Sequence, residues 1–548
     1  MDLKKIDVKN VIRGMEFAEK EGESNIYGIE KEFAFIDGSN LYPLQRIGRQ
    51  SAYKFITSYG NIQPDQKRHI MPEVFDYMIE VITEPHISYN RAVDKILLIE
   101  KNLWTALDHI ENEFPGINMI LLSSGTLYKP AKIERDNIPE VWGDEKKTYL
   151  EEMVRRYGEK LTPQGMHSNI SIPDPLISFQ YHRCGYKKER GSVGYVEFRN
   201  EVYVWLACKL RPFASLIIAI EANSPFDYVI ENDDVHTVIT GYQSNRWAKL
   251  PQIESTNYPL MLKDYKHFQR ISQFLIDKGV LIGANNYMPI RPKGERRLGE
   301  MPLSFERAAW FHNINLDEIE VKTDPLLASI KEIKGASFIE RLKIAERIGW
   351  LDKKGYKLKD IIRIWQEGNV RRLLGVPLNR IEIRCEESGG DYEFELAKAA
   401  FIQTLFLYLF SNPGYACEFK YTKDDLGRIT HNEALAVKHG LDAEIIDPFS
   451  KGRISMREFL KRVLITIEDF ARSLGTFKDL TPIYELAQGK ENEAVKQINA
   501  VLKYLGKNPK KTKNGRVIVP EDWVKSQLLQ RKNYFLKTIK EKILVLSI

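Results

Sequence analysis

The chain has 548 residues, 43% of them hydrophobic, so it can bury a large core and exceeds a usual single domain of about 100–200 residues. Its 81 basic and 75 acidic residues leave a net charge of only +6, a balance that favours an ion-pair-rich surface and argues against a nucleic-acid partner. The sequence contains neither a P-loop nor a Gly-x-Gly-x-x-Gly motif, so neither of those nucleotide-binding folds is indicated.

The distribution of apolar residues and cysteines argues against secretion and against a membrane partner. Residues 1–10 are polar and charged, and the most apolar helical run, Ala399–Phe410, is shorter than the ~20 residues that a membrane span requires. The four cysteines are far apart in the sequence, which predicts reduced, structural thiols. We therefore expect a cytoplasmic protein in which Ala399–Phe410 is a core helix.

The first predicted elements are an amphipathic helix, Leu3–Lys20, and a strand that begins at Tyr27. Side chains alternate between the two faces of a strand, so Glu30 and Glu32 point the same way, opposite an apolar face that only Lys31 interrupts. This pattern predicts a strand with one face on a core and the other face built for cations.

Three later strands repeat the pattern. In Phe75–Thr83 the alternation turns Glu80 away from the apolar residues at 77, 79 and 81, and in residues 165–172 it puts His167 on one face with Asn169. In Arg380–Cys385 it puts Glu382 and Arg384 together. If these strands share one sheet, hard oxygen ligands and one nitrogen converge, a set that suits magnesium or manganese with phosphate.

Each strand also has a simpler interpretation. A Glu-x-Glu strand is commonly a solvated sheet face, a single histidine such as His167 is commonly a hydrogen-bonded, partly buried residue, and Glu382 and Arg384 can pair across a sheet. Alternation does not by itself establish that the four strands are neighbours. The metal site is therefore a hypothesis about tertiary structure.

The remaining periodicity is mainly helical, especially towards the C-terminus. The apolar spacing predicts helices over Arg91–Glu113, Arg211–Glu221, Phe394–Phe410, Met456–Leu474 and Trp523–Leu546. Together with the strands, this predicts an α+β domain, residues 1–390, followed by a mainly helical region, residues 391–548.

Six short motifs, in this order, resemble those of the glutamate-cysteine ligases, most closely the bacterial branch. They are Gly28-Ile-Glu-Lys-Glu, Met78-Ile-Glu-Val-Ile-Thr, Gly165-Met-His-Ser-Asn-Ile-Ser, Ala222-Asn-Ser-Pro-Phe, Tyr287-Met-Pro-Ile-Arg-Pro-Lys and Arg380-Ile-Glu-Ile-Arg. The resemblance covers about residues 27–387. It implies a curved, mainly antiparallel sheet that forms an acid-lined funnel flanked by helices, similar to that of glutamine synthetase.

The resemblance also implies a set of site residues. The positions that match the family's magnesium ligands, with a further acid at residue 73, are Glu30, Glu32, Glu73, Glu80, His167 and Glu382. Three cations are assigned to the phosphates of ATP and to an acyl phosphate: Arg291, Lys293 and Arg384. Arg246 is assigned to the glutamate carboxylate, which a planar guanidinium suits, and Asn169 and Tyr287 are assigned to the substrates.

The implied activity is ATP-dependent formation of γ-glutamylcysteine, ADP and phosphate through γ-glutamyl phosphate, the first step of glutathione synthesis. Such chemistry needs charge neutralisation and positioning, not a protein nucleophile. Two alternatives stay open: a related ligase that joins glutamate to another amine, and a non-catalytic nucleotide-binding homologue. A predicted helical insertion at about residues 325–369, longer than expected for the bacterial branch, is the main departure from the family pattern.

Overall fold

The computed structural model describes residues 3–22, 26–123, 164–187, 193–249, 290–294, 378–415 and 423–538, and a few isolated positions between these ranges. For residues 291–294 and a few positions at the ends of elements it describes the backbone alone. Tyr287, Cys417 and most of the predicted insertion at 325–369 lie outside the described residues.

A seven-stranded antiparallel sheet forms the centre of the part of the chain that the structure describes. Its strands are β1 Tyr27–Asp37, β4 Ile70–Pro72, β5 Met78–Ile82, β6 Met119–Leu122, β7 Met166–Ile170, β10 Ile290–Gly294 and β11 Leu378–Glu386. Their order is β10-β11-β7-β1-β5-β4, with β6 paired to β1. The predicted α+β class with a mainly antiparallel sheet is confirmed.

In the described ranges, seven short strands form three smaller antiparallel sheets. They are β2 Arg46–Ile47, β3 Gln50–Ser51, β8 Phe226–Glu231, β9 Asp234–Ile239, β12 Glu444–Ile446, β13 Arg453–Ser455 and β14 Ile518–Val519. Strand β14, from the C-terminal part of the chain, pairs with β9.

Helices surround the sheet. In chain order, counting the described part alone, they are α1 Val8–Lys20, α2 Ala52–Tyr59, α3 Pro64–Lys67, α4 Tyr89–Glu113, α5 Asp174–Arg183, α6 Val193–Leu210, α7 Ala214–Glu221, α8 Asn245–Lys249, α9 Tyr392–Ser411, α10 Lys423–His439, α11 Met456–Leu474, α12 Thr481–Ala487, α13 Glu493–Leu505 and α14 Glu521–Asn533. A 3₁₀ turn, Arg211–Phe213, joins α6 to α7.

Local capping explains several boundaries. Helix α11 has the predicted limits because the Ser455 side chain accepts the Glu458 N–H at its start and Gly475 takes a left-handed conformation at its end. The predicted helix Leu3–Lys20 is five residues too long, because Asp7 caps α1 and the Ile6 N–H donates to the Ser411 carbonyl. Strand β5 starts at Met78, three residues later than predicted, because the Met78 N–H closes a turn onto the Phe75 carbonyl.

Two apolar helical segments fill the space behind the sheet. Gly194–Glu221 and Tyr392–Ser411 are long and apolar enough to cross a membrane by length and composition, but 89% and 83% of their most apolar windows are buried inside the protein. The prediction that Ala399–Phe410 lies in a core helix is confirmed. Helix α9 extends beyond this run at its N-terminal end, where its first turns contain Glu395 and Lys398, which are buried as an ion pair.

The other face of the sheet is partly covered by the C-terminal part of the chain. Ala34 and Ile36 lie on the same face of β1 as Glu30 and Glu32 and belong to an apolar cluster that also contains Trp523 and Leu528 of α14. This cluster covers the far end of the acid-bearing face. The predicted division at residue 390 stays a prediction.

Candidate active site

The sheet brings the four predicted acid-bearing strands side by side, in the order β11-β7-β1-β5. Its register places Glu30 directly opposite His167 and Glu32 directly opposite Glu80. Directly paired residues share a face of the sheet. The alternation in the sequence and the strand order in space therefore combine to put these side chains on one surface.

The imidazole of His167 lies at the centre of this surface. Its Nδ1 is 3.5 Å from Glu30 Oε2 and 3.6 Å from Glu382 Oε1, and its Nε2 is 3.9 Å from Glu32 Oε1. Among the described residues there are two sets of potential ligands, and within each set one ligand atom per residue lies within 4.8 Å of the others. One set is Glu30, His167 and Glu382, and the other is Glu32, Glu80 and His167. His167 belongs to both.

Hydrogen bonds hold one oxygen of each strand acid on β1. The Gly165 N–H donates to Glu32 Oε2 over 2.7 Å, and the Asn169 side-chain amide donates to Glu30 Oε1 over 3.1 Å. The remaining oxygen of each carboxylate is the one directed at His167. Both acids are thus oriented towards a common volume.

The donor set fits a hard divalent cation. Four carboxylates and one imidazole converge there, and His167 and Glu382 are only 4% and 1% exposed. Carboxylates this close to one another repel when ionised, and a bound cation relieves that repulsion. Carboxylate oxygen with a single imidazole nitrogen suits Mg²⁺ or Mn²⁺ better than zinc.

Cationic residues lie along β10 and β11, beside the acids. Arg384 Nη1 is 3.5 Å from Glu382 Oε1. Strand β10 pairs with β11 so that Arg291 is opposite Glu382 and Lys293 is opposite Arg380. The backbone register therefore puts residues 291 and 293 on the same face as Glu382.

Arg246, on α8, is buried beside the same cluster with 2% exposure. Its Nη1 donates to the carbonyls of Arg384 and Glu386 over 3.3 and 3.2 Å, and its Nη2 lies 3.5 Å from His167 Nε2. Its Nε has no hydrogen-bond partner among the described atoms. The guanidinium occupies the space where a side chain at Gly165 would project, so glycine is needed there.

One predicted site residue, Glu73, is not part of the central cluster, and another, Tyr287, is not described. Glu73 is half-buried just after β4 and belongs to neither set of potential ligands in the described residues. Tyr287 lies outside those residues. Asn169 is in place, but its amide is already used between Glu30 and Arg380.

The structure adds three residues that the sequence interpretation did not select. Arg380 lies two residues before Glu382 and hydrogen-bonds Asn169; the alternation that selected Glu382 could have found it. Gly165 orients Glu32 through its N–H. Glu387, 4% exposed, accepts hydrogen bonds from the Asn223 N–H and from the hydroxyls of Ser224 and Ser244. No local signal in the sequence indicates these long-range hydrogen bonds.

A buried charged network lies behind the sheet. Lys398 Nζ is 3.3 Å from Glu221 and 2.9 Å from Glu395, and it donates to the Glu387 carbonyl. Burial raises the pKa of Glu221 to about 7 against the lowering effect of the Lys398 ammonium. Burial also opposes ionisation of Glu395, but the ammonium groups of Lys398 and Lys31 bring its pKa down to about 2.

Comparison with known proteins identifies the family of the chain. Residues 195–489, more than half of the chain, match the model of glutamate-cysteine ligase family 2. A glutamate–cysteine ligase from Natronomonas pharaonis is 24% identical over 272 residues, which are 49% of this chain and 60% of that protein. The chain spans little more than half the length of the curated relatives it matches.

Solved structures share the fold at lower identity. A glutamate–cysteine ligase from Francisella tularensis in complex with AMP has a TM-score of 0.61 and 14% identity, covering 95% of this chain and 91% of that one. A bifunctional glutathione synthetase from Pasteurella multocida has a TM-score of 0.57 and 13% identity, covering 98% of this chain and 55% of that one. With its match to the family model, the chain belongs to glutamate-cysteine ligase family 2.

Proposed function

We propose that the chain is an ATP-dependent carboxylate-amine ligase that joins glutamate to cysteine, forming γ-glutamylcysteine, ADP and phosphate. The observation that carries this proposal is the convergence of Glu30, Glu32, Glu80 and Glu382 on His167, with Arg384 beside them. Family membership and the AMP-bound structural neighbour support nucleotide-dependent ligation.

The acids and His167 are the residues that would hold Mg²⁺ or Mn²⁺. When bound, the metal would neutralise and orient the polyphosphate oxygens of ATP. Glu30 and Glu32 each keep one oxygen directed into the cluster because the other is hydrogen-bonded. Glu73 is proposed to supply a further carboxylate at the edge of this site.

The cations act on the anions of the reaction. Arg384 is held 3.5 Å from Glu382, where it can contact a phosphate. Arg291 and Lys293, whose backbone pairs opposite Glu382 and Arg380, are proposed to bind phosphate as well. The glutamate γ-carboxylate attacks the terminal phosphate of ATP, which gives an acyl phosphate and ADP, and the amine then displaces phosphate. These steps need charge stabilisation and alignment, which preformed cations supply.

Arg246 would bind the other end of glutamate, its α-carboxylate. Its guanidinium is fixed by two main-chain carbonyls next to His167 and keeps a buried Nε without a partner among the described atoms. A carboxylate is the natural partner of such a group. Tyr287 is proposed to contact substrate as well, and the enzyme is proposed to act in the cytoplasm on small molecules.

The test is ADP release by the purified full chain with ATP, Mg²⁺ and glutamate, adding each amino acid or small amine in turn and starting with cysteine. The expected result is cysteine-dependent ADP release with equimolar γ-glutamylcysteine, abolished by EDTA. Release with another amine would keep the ligase reaction and replace cysteine as the substrate. No ADP from any combination would overturn the proposal.

A further inference from the structure

A chain of hydrogen bonds crosses three adjacent strands and ends on a proposed metal ligand. Arg380 Nε on β11 donates to Asn169 Oδ1 on β7 over 2.9 Å, and Asn169 Nδ2 donates to Glu30 Oε1 on β1 over 3.1 Å. The three strands are consecutive in the sheet. One hydrogen-bond partner of Glu30, Asn169, is therefore itself held from the next strand.

The direction of this chain follows from the chemistry of its first member. An arginine side chain has donors alone, so the Asn169 atom that faces Arg380 must be the amide oxygen. The orientation of an asparagine amide is normally assigned from its partners, and here Arg380 leaves one choice. The NH₂ group of Asn169 is consequently the part that faces Glu30.

As a consequence, the two carboxylate oxygens of Glu30 have different neighbours. Oε1 accepts the Asn169 amide, and Oε2 is left 3.5 Å from His167 Nδ1, within the proposed ligand set. We propose that Arg380 is a positioning residue that acts through Asn169 to aim Glu30 at the metal; this inference rests on the proposed function.

The competing interpretation makes the opposite prediction. If Arg380 acted as a cation alone, its removal would make the surroundings of Glu30 more negative and would strengthen metal binding. If Arg380 orients Asn169, its removal frees the amide to rotate, and metal binding weakens. Loss of a group that orients a metal ligand typically lowers metal affinity about 10- to 100-fold.

The experiment measures Mn²⁺ binding to the full chain by electron paramagnetic resonance, without ATP or amino acids, so that turnover is not the readout. We expect Arg380→Met to weaken Mn²⁺ binding about tenfold, with Asn169→Leu at least as severe. The double variant should bind no more weakly than Asn169→Leu, because Arg380 acts through Asn169. Arg380→Lys, which keeps the charge and one donor, should lie between wild type and Arg380→Met.

Arg384→Met is the matched control on the same strand. Arg384 lies 3.5 Å from the ligand-set atom Glu382 Oε1, so its removal should tighten Mn²⁺ binding in the absence of phosphate. Thermal unfolding checks that each variant folds. If Arg380→Met does not fold, Asn169→Leu tests the same hydrogen-bonded link.

The outcomes separate this inference from the proposed function. Unchanged or tighter Mn²⁺ binding by Arg380→Met, or a double variant with additive losses, overturns the positioning role and leaves the ligase proposal intact. A wild-type chain that binds no Mn²⁺ overturns the metal site, and the positioning role with it.

Discussion

Buried carboxylates have different neighbours on the two faces of the central sheet. On the core face, Lys31 is 2.6 Å from Glu100, and Lys398 lies between Glu221 and Glu395. On the site face, Glu30 and Glu382 lie with their oxygens near a single imidazole, that of His167. The core face pairs these acids with ammonium groups, whereas the site face brings four acids close to one another, with the guanidinium of Arg384 beside Glu382.

This difference separates stability from function. A buried acid next to a cation supports the fold, because removing either partner leaves an uncompensated charge. Acids that converge on one another cost free energy of folding until a cation binds. The same residue type is therefore expected to give opposite results on the two faces when it is replaced.

The largest expected effect is on the core face. Lys398→Met leaves Glu221 and Glu395 buried without their ammonium partner, and it should lower the free energy of unfolding by about 3–5 kcal/mol. Chemical denaturation measures this. Lys461→Met, at an exposed position on α11, is the control and should change little. Equal effects of the two substitutions would contradict the comparison.

On the site face the expected loss is of activity. Glu382→Gln should lower kcat/KM at least about 100-fold, since the substitution removes an ionised oxygen from the ligand set, while the melting temperature stays the same or rises. Turnover and thermal unfolding are measured on one preparation, with the exposed Glu444→Gln as control. A stable variant with wild-type turnover would show that Glu382 holds no metal.

A smaller effect is expected at Arg246, which lies beside His167 on the site face. In Gly165→Ala the new methyl group collides with the Arg246 guanidinium, so the KM for glutamate should rise about tenfold with a smaller change in kcat. Gly414→Ala, where a Cβ meets no atom within 4 Å, is the control. A rise in the KM for ATP alone would mean that Arg246 does not bind glutamate.

The last expected effect is a dependence of stability on pH. The folded-state pKa of Glu221 is raised by burial from 4.5 to about 7, so its contribution to stability is complete below pH 4.5 and is lost as pH rises through about 7. Glu221→Gln removes the ionisable group, so the variant does not lose this stability as pH rises. The melting temperature of the variant relative to wild type should therefore increase from pH 5 to pH 8; a constant difference would refute the assignment.

Alternation along single strands was enough to predict several features of the site. It placed Glu30 with Glu32, His167 with Asn169, and Glu382 with Arg384, because the two-residue period of a strand is a local property. Helix α11 was also predicted with its observed limits, since Ser455 and Gly475 define its ends within the sequence itself.

Tertiary structure decided which of these local faces meet. The order β11-β7-β1-β5 and the pairing of Glu30 with His167 depend on contacts between residues that are dozens to hundreds of positions apart, which no local period encodes. The same holds for the Arg380–Asn169–Glu30 chain and for Lys398, whose charge is tolerated only because Glu221 and Glu395 are buried with it. The sequence determined which residue types could bind a cation, and the packing of distant strands decided that these residues lie together, because burial and register are properties of the whole sheet.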